Sequence, residues 1–580
     1  MVLVTKSIMT ERPNFLIIVA DDLGFTDLSA FGGEIHTPNL QKLAENGVRF
    51  TDFHTASACS PTRSMLLSGT DNHIAGLGQM AEFMYRKPEI FHGQSGYEGY
   101  LNDRVAALPE LLQDEGYFTF ISGKWHLGLL PEYWPVKRGF EKSFTLLPGA
   151  GNHFKYNAKD ENGQPLKFIP PMFAEGDRKV DHEKELPEDF YSTNFYTDKG
   201  LEFLDYDDDR PFFGCLTYTA PHWPYQAPRE VIDKYKGKYD DGPEESRRRR
   251  LKQALKAGII PDGVEPHKMT SHKDKRWKDL TIHEQQIESR IMETYAAMVE
   301  ILDTNVGRVI DKLKSKGKLD NTFILFMSDN GAEGMLMEAM PLRVVSIRET
   351  VLKYYNNSLE NIGNEDSWVY YGDQWAQAAT APSYMYKMWA SEGGIRCPLI
   401  IHYPKLHENA IDKVAAGSIS REFTTVMDIL PTVLELAGVK HPGNFYKGRE
   451  VAEPRGKSWV THLSHSTPVH SEDTVTGWEL FGQQAIRKGP YKALYIPIPY
   501  GPGEWQLFNI RKDPGETKDL AALHPGILKE MLDHWAEYVS ETGLIELGSE
   551  FLDVGEDGIN YITCESDSEP EPEPQKEVGQ

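Results

Sequence analysis

Short, dense apolar runs punctuate an otherwise polar chain. Four of them, Asn14–Ala20, Phe118–Ser122, Pro211–Thr217 and Thr322–Met327, are rich in β-branched and aromatic residues. Runs of that length, bounded by turn-forming residues, predict strands buried on both faces. Helical patterns lie between them. The clearest spans Ile287 to Leu313, where Ile287, Ile291, Tyr295, Met298, Leu302, Val306, Val309 and Leu313 form one stripe, with Gly317 placed to stop the helix. Phe423–Ala437, followed by Gly438, reads as another helix, used for packing. Strand, helix and strand in alternation predict an α/β architecture: a large mixed, mostly parallel sheet flanked by helices. Near residue 450 the pattern changes. Ala485–Ile496 and Trp505–Ile510 read as paired strands around a Pro/Gly-rich turn, and Pro525–Val539 as a helix. The expected division is a catalytic domain over 1–450, a smaller C-terminal α+β domain over 451–545, and an acidic tail over 546–580. The composition of that tail cannot bury a core.

Charge narrows the function. The 580 residues carry 62 Lys and Arg against 87 Asp and Glu, a net charge of −25. An acidic surface repels nucleic acid and acidic membranes, so neither is an expected partner. Four cysteines without a CxxC pair support neither a disulfide scaffold nor a thiolate zinc site. No apolar run approaches a bilayer's thickness, and with Met1 as the start no signal-peptide pattern follows it, so a cytoplasmic enzyme is expected. Residues 227–285 are polar, with basic clusters at Arg247–Arg250 and Lys273–Lys278. They read as the solvated helix face of an insertion rather than a nuclear signal or anion patch.

Polar residues follow each predicted strand. Asp21 and Asp22 follow the first, Gly123-Lys124-Trp125-His126 the second, Pro221-His222 the third and Asp329-Asn330-Gly331 the fourth. In open α/β sheets, ligands bind beyond the carboxyl ends of the strands, so these residues can converge. Asp21, Asp22, Asp329 and Asn330 offer hard oxygen ligands suited to Ca²⁺ or Mg²⁺. Each pair alone also fits a strand end and helix cap. Cys59, four residues before Arg63, fits a low-pKa thiolate or a small buried residue. A soft thiolate suits a hard metal site poorly, so a Cys59 facing that metal calls for conversion to an oxygen nucleophile.

Cys59-Ser60-Pro61-Thr62-Arg63 resembles the sulfatase signature Cys-x-Pro-Ser/Thr-Arg, and Gly116–His126 resembles the second sulfatase signature. The resemblance runs from about Asn14 to about Leu544 and is nearest to bacterial-type arylsulfatases, with further matches at Gln374–Lys387 and Glu392–Arg396. It implies an alkaline-phosphatase-like fold and conversion of Cys59 to formylglycine (3-oxoalanine) by a maturation enzyme. It also implies Ca²⁺, rather than Mg²⁺, held by Asp21, Asp22, Asp329, Asn330 and the converted residue 59. One hydroxyl of the formylglycine hydrate would attack sulfur and expel the alcohol. The second would lose its proton as sulfate departs, a covalent route in two steps. Arg63 would contact the formylglycine, and Lys124 and Lys387 the sulfate oxygens. His126 would be the base for sulfate release, and His222 with Lys387 would protonate the leaving oxygen. The implied activity is hydrolysis of small aryl, and secondarily alkyl, sulfate esters. A phosphonate or phosphate ester hydrolase of the same superfamily shares these motifs. An anion-binding protein with unconverted Cys59 would keep them without catalysis. Trp223, Tyr225 and the Met80–Tyr97 loop are the expected walls around the leaving group.

Overall fold

The computed structural model describes residues 11–548 apart from 86, 271–275, 335–346, 406–413 and 499, together with the backbone of 553–554 and 560–561. The tail beyond residue 561 and positions 273–275 of the basic cluster therefore lie outside the described residues.

The main sheet contains β1 (Asn14–Ala20), β2 (Val48–His54), β3 (Phe118–Lys124), β4 (Lys142–Leu146), β5 (Phe173–Glu175), β6 (Arg178–Val180), β7 (Phe212–Thr217), β8 (Thr322–Ser328), β9 (Arg396–His402) and β10 (Ile419–Ser420). Their order is β10-β2-β9-β8-β1-β7-β3-β4-β5-β6. β1 pairs in parallel with β7 and β8, and β3 with β7 and β4, while β9 runs antiparallel to both β2 and β8. The expected mixed, mostly parallel sheet is present. All four predicted strands occupy its centre, so their carboxyl ends open on one side. β1 is wholly buried, as a central parallel strand covered on both faces must be. β3 runs two residues past the expected end at Ser122. Gly123 permits this: its φ is +123°, and a Cβ there would meet the Thr217 carbonyl oxygen of β7 at 2.0 Å.

Four helices matter for the site: α1 (Cys59–Ser68), α2 (Ser192–Phe203), α3 (Ile282–Ser315) and α4 (Pro525–Thr542). α3 begins five residues before the apolar stripe because Thr281 and Glu284 form a capping box: Thr281 N donates to Glu284 Oε2 (2.7 Å) and Glu284 N to Thr281 Oγ1 (3.2 Å). The expected helix at Phe423–Ala437 starts only at Ile429, since Thr424–Thr425 instead pairs with β2.

The basic run Arg247–Arg250 is not a uniformly solvated face. It lies on the helix Gly242–Lys256, whose period turns Arg248 outward and buries Arg250. Arg250 donates to Asp27 Oδ1 (2.5 Å) and Glu34 Oε2 (2.8 Å), and Tyr295 Oη donates to Asp27 Oδ2 (2.6 Å). Asp27 also accepts from Gly24 N (2.7 Å), so Arg250 braces the turn that follows Asp21 and Asp22.

The C-terminal sheet is antiparallel: β11 (Val475–Leu480), β12 (Gln483–Lys488), β13 (Tyr491–Tyr495) and β14 (Trp505–Asn509). The expected continuous strand at Ala485–Ile496 is instead a hairpin, turned at Gly489 with φ +55°. Ile486, Ala493 and Leu507 pack on Met531, Trp535 and Tyr538 of α4, while Trp478, Leu480 and Phe481 join the main core.

Polar contacts reinforce this seam. His73 lies between Asp71 Oδ1 (2.8 Å) and Glu479 Oε2 (3.3 Å) of β11. Gln79 Nε2 donates to Glu479 Oε2 (2.7 Å), and Tyr538 Oη of α4 donates to Asp71 Oδ2 (2.7 Å). Burial alone would lower the His73 pKa, but the two carboxylates raise it from 6.5 to about 9. A raised histidine pKa stabilises the fold fully below the unfolded value and ceases to do so as pH rises through the folded one. We expect wild type to lose up to about 3 kcal/mol between pH 6.5 and 9. Denaturant midpoints of wild type and His73→Gln across that range measure it, and the variant's midpoint is expected to vary less.

Candidate active site

The site forms where the strands end. Asp21 N donates to Ala220 O beyond β7 (3.1 Å), and Asp329 N donates to Ala20 O (3.1 Å), which ties the three loops together. Cys59 opens α1, with Arg63 one turn later on the same face. The structure brings all ten predicted residues into one connected cluster.

Arg63 donates to Asp329 Oδ2 through Nε (3.1 Å) and Nη2 (2.7 Å), and through Nη1 to the Lys124 carbonyl (3.0 Å). Lys124 Nζ donates to Asp21 Oδ2 (2.6 Å). Lys387 Nζ lies 2.9 Å from Asp22 Oδ1 and 3.0 Å from Glu333 Oε2. Asn330 Nδ2 donates to Asp22 Oδ1 (2.7 Å). The Lys387 loop is fixed by its backbone: Lys387 N donates to Ala332 O (2.9 Å) and Met388 N to Ser57 O (2.7 Å). Asp22, His126, Met385 and Met388 all hold positive φ without being glycine (68°, 57°, 58° and 76°). Such backbone costs about 1–3 kcal/mol per residue and persists where surrounding structure imposes it.

Three carboxylates buried together repel one another. Burial pushes the Asp22 carboxyl up to about 6, with Lys387 opposing and Glu333 and Asp329 reinforcing. Burial and Asp21 likewise raise Asp329. A bound cation would relieve this, and the acceptors fit one. Asp21 Oδ1 and Asn330 Oδ1 are buried without a hydrogen-bond donor among the described residues. One potential ligand atom each from Asp21, Cys59 and Asp329 lies within 4.8 Å of the others. Carboxylate and amide oxygens suit Ca²⁺ or Mg²⁺, and at position 59 an oxygen suits such an ion better than Sγ.

Cys59 Sγ lies 3.3 Å from His126 Nδ1, and His126 Nε2 lies 2.9 Å from Glu82 Oε1. Burial would raise the Cys59 thiol, but Lys124, His126 and Lys387 outweigh it and lower the pKa. Burial opposes a charged His126, yet Cys59 and Glu82 raise it to about 9. His222 Nδ1 bonds the Trp223 carbonyl (2.6 Å) and turns Nε2 to 3.5 Å from Asp22 Oδ2. Burial, then Lys387 and Lys124, push His222 well below its usual value. It is neutral in this state, and an anionic ester beside it would favour its protonation.

Two further residues enter the cluster without a sequence signal of their own. Glu333 pairs with Lys387, and Glu82 pairs with His126 from a short helix, Ala81–Met84, inside the loop expected only as a wall. Trp223 and Tyr225 are both buried, with Trp223 against Trp368 and Tyr225 between Tyr295 and Tyr371. The surface beyond Glu82 is aromatic as well. Tyr100 and Tyr133 stack with centroids 3.6 Å apart, Tyr85 is 61% exposed, and Leu129 and Leu130 are exposed beside them. A cavity of about 430 Å³ is lined there by Tyr85, Phe91, Tyr97 and Tyr100 among others. A second acidic group, Asp52, His54 and Glu392, is already paired with Arg487 and Lys492.

Fold and site together gather oxygen groups that could hold a hard metal, fixed cations and a residue at a helix start aimed among them, a set suited to an ester of a tetrahedral oxyanion. The comparisons agree. The sulfatase family model matches residues 13–439. An uncharacterised sulfatase of Schizosaccharomyces pombe is 54% identical, over 94% of this chain and 97% of its own. The arylsulfatase of Klebsiella aerogenes is 37% identical, over 74% and 87%. Among solved structures, i-CgsB in complex with a neocarrahexaose aligns with a TM-score of 0.62 at 23% identity, covering 91% and 93%. A phosphonate monoester hydrolase from Silicibacter pomeroyi aligns at 0.55 and 15%, covering 94% and 98%; both structures show the shared fold. The chain belongs to the sulfatase family, the enzymes that hydrolyse sulfate esters.

Proposed function

We propose that this sulfatase depends on formylglycine at position 59 and on Ca²⁺, and releases sulfate from small aryl esters, with alkyl esters second. The observation that carries the reading is the position of residue 59: among Asp21, Asp329, Lys124 and Lys387, with His126 3.3 Å away. The metal, held by Asp21, Asp22, Asp329 and Asn330, would supply Lewis-acid polarisation and a lowered hydroxyl pKa. The hydrated aldehyde would supply two hydroxyls on one carbon where the thiol supplies one sulfur. Arg63 keeps Asp329 in place and reads the Lys124 carbonyl. Lys124 and Lys387 bind sulfate oxygens, as fixed charges in a dry site stabilise charge most effectively. His126 moves a proton at residue 59, and His222 with Lys387 delivers one to the leaving oxygen. The tyrosines beyond Glu82 offer an aryl leaving group stacking faces.

Residue 59 is 1% exposed, so the maturation enzyme this reading requires reaches it before α1 packs. Cys215 and Cys397 are buried free thiols, which suits a reducing, cytoplasmic setting. No described helix is long and apolar enough to cross a membrane.

The test pairs peptide mass analysis at position 59 with turnover of matched aryl sulfate, phosphate and phosphonate esters. An aldehyde at 59 and a sulfate preference of at least about 10²-fold are expected. A phosphate or phosphonate preference overturns the substrate class. A thiol in protein from its native host leaves an anion-binding protein.

Metal dependence is checked separately. Chelation is expected to abolish hydrolysis, and Ca²⁺ to restore it and raise the melting temperature. At free Ca²⁺ one hundred times Kd, linkage gives about 2.7 kcal/mol. Asp21→Asn is expected to lose that shift.

A further inference from the structure

His126 is bonded at both ring nitrogens, and the two partners differ in kind. Nδ1 faces residue 59 at 3.3 Å, and Nε2 faces Glu82 Oε1 at 2.9 Å. A carboxylate is acceptor-only when ionised, so Glu82 takes a hydrogen bond from Nε2–H. A neutral imidazole carries one ring proton, and holding it at Nε2 leaves the Nδ1 lone pair facing residue 59.

The surroundings keep this arrangement. His126 adopts φ +57°, and Gly149 lies against its ring, where a Cβ would meet Cε1 at 2.4 Å. Glu82 is held from behind: the next residue, Phe83, packs edge-on against Phe481 with centroids 5.0 Å apart. Glu82 Oε2 is buried without a hydrogen-bond donor among the described residues, so its strongest fixed partner is the imidazole.

We propose that Glu82 is a positioning residue for sulfate release: it holds His126 in the Nε2–H form and balances the imidazolium formed when Nδ1 takes a proton. The inference rests on the proposed function for the proton in question. That proton comes from the free hydroxyl on the carbon of residue 59. Its O–H electron pair closes to C=O as the bond from that carbon to the sulfate oxygen breaks. Sulfate leaves with the electron pair of that broken C–O bond, and nothing is oxidised or reduced. Water then adds to C=O, and the His126 proton passes to solvent. A nucleophile, a histidine and a carboxylate in series recur wherever a base must be both oriented and charge-balanced.

The test uses the full-length enzyme carrying Glu82→Gln, Glu82→Asp or Glu82→Gly, with rapid kinetics and with ¹⁵N-histidine spectra taken above pH 9, where the wild-type imidazole is neutral. A glutamine can accept from Nε2–H or donate to bare Nε2, so it no longer dictates the tautomer. The expected result for Glu82→Gln is a mixed or Nδ1–H signal for His126. kcat is expected to fall about 10- to 100-fold with KM within about threefold. First-turnover alcohol release stays near wild type while sulfate-bearing position-59 peptide accumulates. Glu82→Asp is expected to recover part of kcat, and formate to recover part of it in Glu82→Gly. Wild-type kcat in Glu82→Gln, or an unchanged His126 tautomer, overturns the inference. So does equal slowing of alcohol and sulfate release. The spectra decide the tautomer even where position 59 proves to be a thiol and wild type turns nothing over. That outcome defeats the proposed function and leaves the Glu82–His126 geometry separately judged.

Discussion

Cys59→Ala is expected to lower kcat/KM for an aryl sulfate by at least about 10⁴-fold, equivalent to more than about 5 kcal/mol of barrier. The melting temperature is expected to stay within a few degrees of wild type. The two outcomes separate because residue 59 donates little to the packing around it. The carboxylates keep their own partners: Arg63 on Asp329, Lys124 on Asp21 and Lys387 on Asp22. Only the bond to His126 is lost, and His126 retains Glu82. Steady-state kinetics beside a thermal melt make the comparison. Substantial residual turnover in Cys59→Ala would put the nucleophile elsewhere.

The largest effect on stability is expected at Lys492. This lysine of β13 is fully buried, 2.9 Å from Glu392 Oε1 and 2.9 Å from Glu516 Oε1. Glu392 also accepts from His54 and opens the helix Glu392–Ile395, just after the Lys387 loop. Burial raises Glu516 to about 7 despite Lys492. Lys492→Met leaves two buried glutamates facing each other without the lysine that lies between them, a loss of about 3–5 kcal/mol. Adding Glu392→Gln and Glu516→Gln is expected to restore most of it, since amides need no counter-charge. The deficit has a pH sign as well. With Lys492 gone the folded state favours protonated glutamates, so the variant loses stability as pH rises, and the deficit at pH 8 exceeds that at pH 5. Denaturant midpoints at both values test this, and a deficit independent of pH would contradict it.

What could be read from the chain follows the physics of each element. Central parallel strands are apolar along their whole length, so their bounds and the polar pairs after them stand out, and Asp21, Asp22, Asp329 and Asn330 were legible for that reason. Cys59 and Arg63 were legible because a helix start fixes their spacing. Lys387 looks ordinary in sequence and entered only through the family resemblance, and His222, though placed after a predicted strand, took its role from the same source; packing explains them, since Ala332 and Ser57 hold one loop and Trp223 the other. Glu82 carried no periodic signal. Its place depends on Phe83 meeting Phe481, a contact across 398 positions of chain. The Arg247–Arg250 run misled because a charge cluster has no face until the helix assigns one. The hairpin at Gly489 was hidden because the turn between β12 and β13 is only two residues long, so the two strands read as one run.

The seam between β11 and the loop from Asp71 to Glu82 sets a limit on dissection. The matched family region ends at residue 439, yet Glu479, Phe481 and Tyr538, all beyond it, anchor the segment that presents Glu82 to His126. A fragment cut at that boundary would keep every proposed metal ligand and lose the anchors of the proposed base. For the same reason, a chimera that borrows its C-terminal sheet from a relative inherits that relative's grip on the histidine. The unit to exchange is therefore the sheet together with the loop it clasps.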